Sequence, residues 1–199
     1  MKIIFIDKNN QFRLIPDSAL LLKNRPLFRP DYVQTLHAKI ALVVKINRLG
    51  KYIQEKFAPT YYDEIGFAIN FYDKDCLDFL VQKGFPWERA TCFDGSFALS
   101  EFMKISEHIG DMVTVGAYCI RPPKMENEKG VCNTPQQMFS IKPTIPKIPS
   151  IISELSTYMT LKIGDYIAFE IDEWHERIAI NDVLQLVLND REVLCVTVK

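Results

Sequence analysis

The sequence predicts an α+β domain in which strands dominate, and three observations carry that reading. Short segments rich in Val, Ile, Phe and Tyr recur along the chain, either alternating with period two or as brief apolar runs. Helical spacing, by contrast, appears in few places. No strand–helix alternation of the kind a parallel α/β fold needs persists, and no internal repeat is present. The 199 residues suit a single domain with one core, since compact domains commonly hold ~100–200 residues.

The chain opens with KIIFID, residues 2 to 7, whose β-branched residues favour a strand; KNN supplies a turn and FRLI returns, which predicts a β-hairpin. Pro16, Pro26 and Pro30 then punctuate a loop-like stretch. In HAKIALVV, residues 37 to 44, Ile40, Leu42 and Val44 take one face of a half-buried strand, while His37, Lys39 and Ala41 take the other, because strand side chains alternate. NRLG turns the chain toward a short helix near Phe57 to Asp63, where Pro59 is tolerable only in the first turn.

IGFAINF, residues 65 to 71, reads as a buried strand. The clearest helix follows in DKDCLDFLVQKG: Asp73 caps it, Leu77, Leu80 and Val81 share a face, and Gly84 lies past its end. DMVTVGAYCI alternates as a strand, whereas residues 121 to 150 are crowded with Pro, Lys and Asn and predict a long irregular connection holding a short strand or two. Ser150 caps a helix in which Ile151, Ile152, Leu155 and Met159 recur at helical spacing, and KIGD turns the chain into the strand YIAFEID. VLQLVL and EVLCVTV close the chain as a hairpin through Asn189 and Asp190.

Composition excludes several classes of partner. The net charge is -1 and no run of Lys or Arg forms a basic stripe, so neither a nucleic-acid backbone nor an anionic membrane is expected to bind. The apolar start is broken by Asp7 and Lys8, unlike a signal peptide, and no later segment is long enough to span a bilayer. Five scattered cysteines without CxxC spacing argue against a disulfide framework and a structural zinc site; a reducing cytoplasm is the expected home.

Residue chemistry alone is quiet. His37, His108 and His175 are far apart and fit no ligand motif, which favours satisfied histidines over a metal centre. In DEWHE, residues 172 to 176, Glu173 and His175 share one face and could hold a cation, but a solvated loop or edge strand is the simpler reading. Asp94 in CFDGS either faces a ligand or closes an Asx-turn, and base rates favour the turn. There is no phosphate-cradling glycine loop and no GxSxG elbow.

An ordered set of segments changes this. MKIIFI, IPDSALLLKN, HAKIALVVKINRLGKYI, YYDEIGFAINFYDKD, KGFPWERATCFDGS and ISELSTYMTLKIGDYI together resemble the fumarylacetoacetate hydrolase family and cover most of the chain. The resemblance implies a mixed β-sheet roll with a few short helices: one domain over residues 1–199, with a hairpin and loop in 1–30 and the family core in 31–199. It also implies a homodimer, a divalent magnesium or manganese ion, and action on small oxo-acids such as acylpyruvates and oxaloacetate.

The same resemblance exposes departures at the working positions. The family's metal is held by three carboxylates, as a hard dication requires. The two glutamates of an ExE strand pair correspond to Lys39 and Ala41, and the aspartate opening a DxTxRD segment corresponds to Asn70. An ammonium at position 39 repels a dication, so no metal cofactor is expected; magnesium or manganese would mean that the family site is retained against expectation. The lysine of AKxFD is Thr91 here, beside a surviving Asp94. Gly164 and Asp165 survive from GDLIxTGTP, whose TGT positions hold Phe169, Glu170 and Ile171. The NYxxHxxE segment that works on water in relatives has no counterpart after Asn9.

The pocket positions implied by the family are therefore Lys39, Thr91, Asp94 and Asp165. These changes lead to the expectation of an inactive or strongly altered member that binds a small carboxylate. Two alternatives stand beside it: a working enzyme of oxo-acids, through a relocated site drawn from His37, Lys39, Asp73, Asp94 and Glu170, and a structural or regulatory subunit that pairs with an active relative.

Overall fold

A computed structural model describes residues 1–21, 25–105, 114–121, 137–140 and 144–199. His108, Cys132 and most of the connection expected over 121 to 150 lie outside the described residues.

β1 (Ile3–Ile6) and β2 (Phe12–Ile15) form the opening hairpin, with Ile3 opposite Ile15. The Asp7 carboxylate accepts the backbone N–H groups of Asn9 and Gln11, each at 2.8 Å, which holds the turn. β1 lies parallel to β10 (Tyr166–Trp174), which runs antiparallel to β4 (Leu36–Lys45), itself antiparallel to β5 (Glu64–Asp73). β6 (Phe97–Leu99) and β3 (Leu20–Leu21) extend this sheet, and β7 (Met103–Lys104) pairs with β5. The result is an 8-stranded mixed sheet in the order β2-β1-β10-β4-β5-β6-β3. β8 (Thr114–Ile120), β9 (Gln137–Ser140), β11 (Val183–Leu188) and β12 (Arg191–Thr197) make a second, 4-stranded sheet in the order β12-β11-β8-β9.

The large sheet is curled. Strands spaced ~4.8 Å apart would put β2 and β5 about 19 Å from each other in a flat sheet. Yet Arg13 of β2 hydrogen-bonds Asn70 of β5 at 2.8 Å. The outer face packs Ile4, Ile40, Leu42, Phe67 and Ile69 into the main core, against α3 (Ile148–Tyr158) and the second sheet. The inner face closes over a smaller cluster of Ile3, Phe5, Ile15, Ala41, Ala68 and Phe97.

That closure corrects the half-buried strand expected at HAKIALVV: Ala41 and Val43 on its supposed polar face are fully buried and His37 is 8% exposed, because the curled sheet covers its own inner face. Other local expectations also shift. The helix expected near Phe57 to Asp63 is a 3₁₀ turn over Glu55–Tyr61, so Pro59 lies beyond its first turn; without an N–H, Pro59 cannot make the α-helical bond. α1 (Lys74–Lys83) has the expected cap, with the Asp73 carboxylate accepting from Cys76 N–H and Gly84 at φ +67°. Its Val81 is 52% exposed, since only Leu80 of the expected apolar face is buried.

α3 begins at Ile148, not at a Ser150 cap; a 3₁₀ turn over Ile145–Lys147 leads into it, and the Ser150 hydroxyl donates back to Lys147 C=O at 2.9 Å. DEWHE divides: β10 continues as an interior strand to Trp174, which pairs with Ala38 and is 1% exposed, while His175 and Glu176 lie beyond it and are exposed, as a solvated loop would be. The terminal hairpin turns through Asn189 and Asp190, both with positive φ (48° and 61°), as a type I′ turn needs. No described helix is long and apolar enough to cross a membrane.

Candidate functional site

The inner face of the curl carries the polar residues that matter. Cross-strand register puts His37 opposite Tyr72, Lys39 opposite Asn70 and Ala41 opposite Ala68. On the other side of β4, Glu170 pairs with Ala41 and Glu173 with Lys39, with a β-bulge between Glu170 and Asp172. The bulge inserts one extra residue, so side chains three apart, instead of two, share a face. Both carboxylates therefore lie on the same face of the sheet as Lys39.

Lys39 Nζ donates to Glu170 Oε2 at 2.9 Å, with the two side chains 16% and 4% exposed. The Tyr72 hydroxyl donates to the Glu173 carboxylate, and burial together with that bond pushes the phenol pKa well above its ordinary value. The His37 ring lies 6.0 Å from the Tyr72 ring, and its Nδ1 is buried with no hydrogen-bond partner among the described residues.

Asn70 is completely buried, its Oδ1 accepting from Arg13 Nη2 at 2.8 Å and its Nδ2 donating to Ser96 C=O at 3.2 Å. The Arg13 guanidinium stacks 4.2 Å from the centroid of the Phe5 ring. Burial lowers the Arg13 pKa, although guanidinium remains charged at any physiological pH.

These donors do not fit a magnesium or manganese ion. The three positions that the family resemblance assigns to its ligands hold an ammonium already paired to Glu170, a methyl group, and an amide whose oxygen is taken by Arg13. A hard dication needs anionic oxygens, and the two carboxylates on this face are already bonded, Glu170 to Lys39 and Glu173 to Tyr72.

The remaining family positions separate in space. Thr91 ends α2 (Glu88–Thr91): its hydroxyl donates to Trp87 C=O at 3.1 Å and its own carbonyl accepts from the Ser96 hydroxyl at 3.2 Å. Asp94 is exposed on the turn where Gly95 takes φ +76°. Asp165 is buried before β10, bonded to Lys2 Nζ, Lys2 N–H at 3.0 Å and Lys162 N–H at 2.7 Å. Burial alone would raise its pKa, but these donors outweigh that effect and hold it below the ordinary value. Asp73 caps α1. Of the residues proposed for a relocated site, the fold unites His37, Lys39 and Glu170. It adds Glu173, which the sequence had paired with His175 as a cation holder, and Arg13 and Tyr72, which no motif marks.

A curled mixed sheet with an ionisable inner face defines the class, and comparison makes it specific. The model of the fumarylacetoacetate (FAA) hydrolase C-terminal domain matches residues 6–169, and the chain belongs to that family. It is 24% identical over 174 residues to the mitochondrial oxaloacetate tautomerase of Caenorhabditis elegans, covering 87% of this chain and 76% of that protein. It is 27% identical to an oxaloacetate tautomerase of Escherichia coli over 76% of this chain and 65% of that protein. The human mitochondrial oxaloacetate tautomerase is 28% identical over 77% of this chain and 65% of its own length. The chain thus spans about two thirds of the bacterial and human relatives.

Among solved structures, a fumarylacetoacetate hydrolase family protein of Yersinia pestis superposes with a TM-score of 0.82 at 21% identity, covering 100% of this chain and 92% of that one. Fumarylpyruvate hydrolase from Pseudomonas aeruginosa, in complex with Mn2+ and pyruvate, gives 0.78 at 16% identity, with 100% and 89% covered. At these identities the likeness shows the fold.

Proposed function

We propose that this chain handles small oxo-acids of the oxaloacetate or acylpyruvate kind as a strongly altered, metal-independent member of its family, with chemistry limited to keto–enol exchange. The names of the relatives support the substrate class. The observation that carries the metal-independent part is the Lys39–Glu170 pair at 2.9 Å, in the place where relatives' carboxylates would meet an ion.

Keto–enol exchange needs one group to take a proton from the carbon beside the carbonyl and another to give one to the carbonyl oxygen. Glu170 is the base and Lys39 the acid in this reading. After the exchange Glu170 carries the extra proton and Lys39 lacks one, and their direct hydrogen bond returns the pair to its starting state. A C–H bond breaks, an O–H bond forms and the π bond moves from C=O to C=C, but no C–C or C–O σ bond is cleaved, so the step asks less of the site than hydrolysis or decarboxylation does.

The test is oxaloacetate keto–enol exchange followed by ultraviolet absorbance, beside decarboxylation and acylpyruvate hydrolysis, each with EDTA and with added Mg2+ or Mn2+. Exchange that is insensitive to EDTA and lost in Glu170→Gln is the expected result. Turnover that requires a dication, or stoichiometric metal in the purified protein, refutes it.

One observation favours a second reading, a carboxylate-binding protein without turnover: Glu170 is 4% exposed and already neutralised by Lys39, which leaves substrate little access to the base. Binding of oxo-acids with no exchange above the uncatalysed rate would select it. Assembly as a homodimer and residence in the cytoplasm belong to the same proposal; light scattering and cell fractionation test them.

A further inference from the structure

The Arg13 side chain is half-buried, and its guanidinium makes no ion pair among the described residues. Arginine offers five N–H donors, and a buried charge is costly unless it is paired and hydrogen-bonded. Among the described residues Arg13 has one acceptor, the neutral Oδ1 of Asn70 at 2.8 Å, while its Nε is buried and bonded to nothing. Phe5 covers one face of the group at 4.2 Å.

The acidic groups nearest it among the described residues act on it through space without pairing with it. Asp7 accepts two backbone N–H groups of its own turn. Glu170 is taken by Lys39. Glu88 is exposed to water and makes no ion pair with Arg13 among the described residues. The Cys92 thiol is pushed up by burial, which keeps it neutral.

The Arg13 side chain is also reachable from solvent. Arg13 lines a cavity of about 280 Å³ together with Gln11, Phe12, Pro86, Trp87 and Glu88. A small organic acid entering there meets a planar fork of N–H donors, and a carboxylate matches that fork with two parallel bonds. Asn70, which accepts from Arg13, is the cross-strand neighbour of Lys39, so Arg13 joins the Lys39–Glu170 pair on the inner face of the sheet.

We propose that Arg13, fixed by Asn70 and Phe5 and open to the cavity beside Trp87, is a carboxylate-binding residue of this protein, taking the acid group of a small oxo- or dicarboxylic acid. This rests on the proposed oxo-acid reading for the ligand class and adds the residue that recognises it. The side chain supplies as a fixed positive charge what a metal ion would otherwise supply.

Isothermal titration calorimetry in EDTA, with oxalate and pyruvate as probes, tests it on the full chain. The unmodified protein should bind at least one probe, and Arg13→Gln should weaken binding by about tenfold or more, as expected for a lost charge-assisted pair. Arg13→Lys, which keeps the charge without the fork, should fall between the two. Thermal melts monitor folding; if Arg13→Gln does not fold, the Arg13→Lys comparison decides. Equal affinity in the folded variants, or no binding of either probe to the unmodified protein, overturns the proposal. Arg13-dependent binding without keto–enol exchange would reject the catalytic reading alone. Exchange with an unchanged KM in Arg13→Gln would reject this one alone.

Discussion

Arg13 and Asn70, 57 residues apart in sequence and four strands apart in the sheet, are joined by a 2.8 Å hydrogen bond across the inner face of the curl. That bond puts a guanidinium beside a position where relatives' carboxylates would face a metal ion. It also ties the opening hairpin to the central strand β5, so the site and the closure of the sheet depend on each other.

The Lys39–Glu170 pair should behave as a buried ion pair. Lys39→Met leaves Glu170 with 4% exposure and no cation bonded to it, and removing one partner of such a pair costs about 3–5 kcal/mol. Urea unfolding should show that loss for either single change, whereas the double variant Lys39→Met, Glu170→Leu should recover most of it. A double variant no better than the sum of the singles would show that the two side chains are not coupled.

Restoring the family's carboxylates should create a metal requirement. The variant Lys39→Glu, Ala41→Glu, Asn70→Asp, Thr91→Lys gathers negative charge on a closed inner face. Its melting temperature should fall in EDTA and rise again with Mn2+, since binding to the folded state alone stabilises it. The unmodified protein should melt at one temperature under both conditions.

Acid should loosen the start of β10. Asp165 has its pKa held below the ordinary carboxylate value, as does Asp172, where the Lys8 ammonium outweighs the opposing effect of burial. A carboxyl whose pKa is depressed on folding contributes stability that is fully present above its unfolded pKa and lost as pH falls through the folded one. Denaturation midpoints should therefore be flat near neutrality and drop below the ordinary carboxylate range. Asp165→Asn should lower stability at pH 7 and flatten the acid limb; an unchanged limb would assign the loss to other groups.

Ser156 should matter more than a helix serine usually does. Its hydroxyl accepts from Ile53 N–H at 2.8 Å in the buried contact between α3 and the segment before Glu55–Tyr61, and donates to Ser153 C=O at 2.8 Å. Ser156→Ala leaves the Ile53 donor buried without that acceptor, which costs about 1–3 kcal/mol. Hydrogen exchange at Ile53 should quicken in step with the loss; unchanged protection there would mean that another acceptor replaces the hydroxyl.

What was legible in the sequence was local. The opening and closing hairpins, the Asp73 cap and the Gly84 stop of α1 each rest on residues within a few positions of one another, and short-range sterics and hydrogen bonding decide them. Membership of the family was legible too, because its segments stand in order along most of the chain. The start of α3 was misplaced because the Ile145–Lys147 turn and Pro149 lead into it, where Ser150 had suggested a cap.

Arg13 gave no signal in FRLI, where an alternating arginine reads as the outward face of a hairpin. The bulge in β10 was equally silent, yet it turns Glu173 onto the same face as Glu170. By itself the sequence determined the strand-rich class and the family, and it raised the expectation that Lys39, Ala41 and Asn70 stand where the family has metal-binding carboxylates. Only the tertiary structure decided which charges meet there, because curling the sheet brings β2 over β5 and buries a face that flat alternation would leave in water.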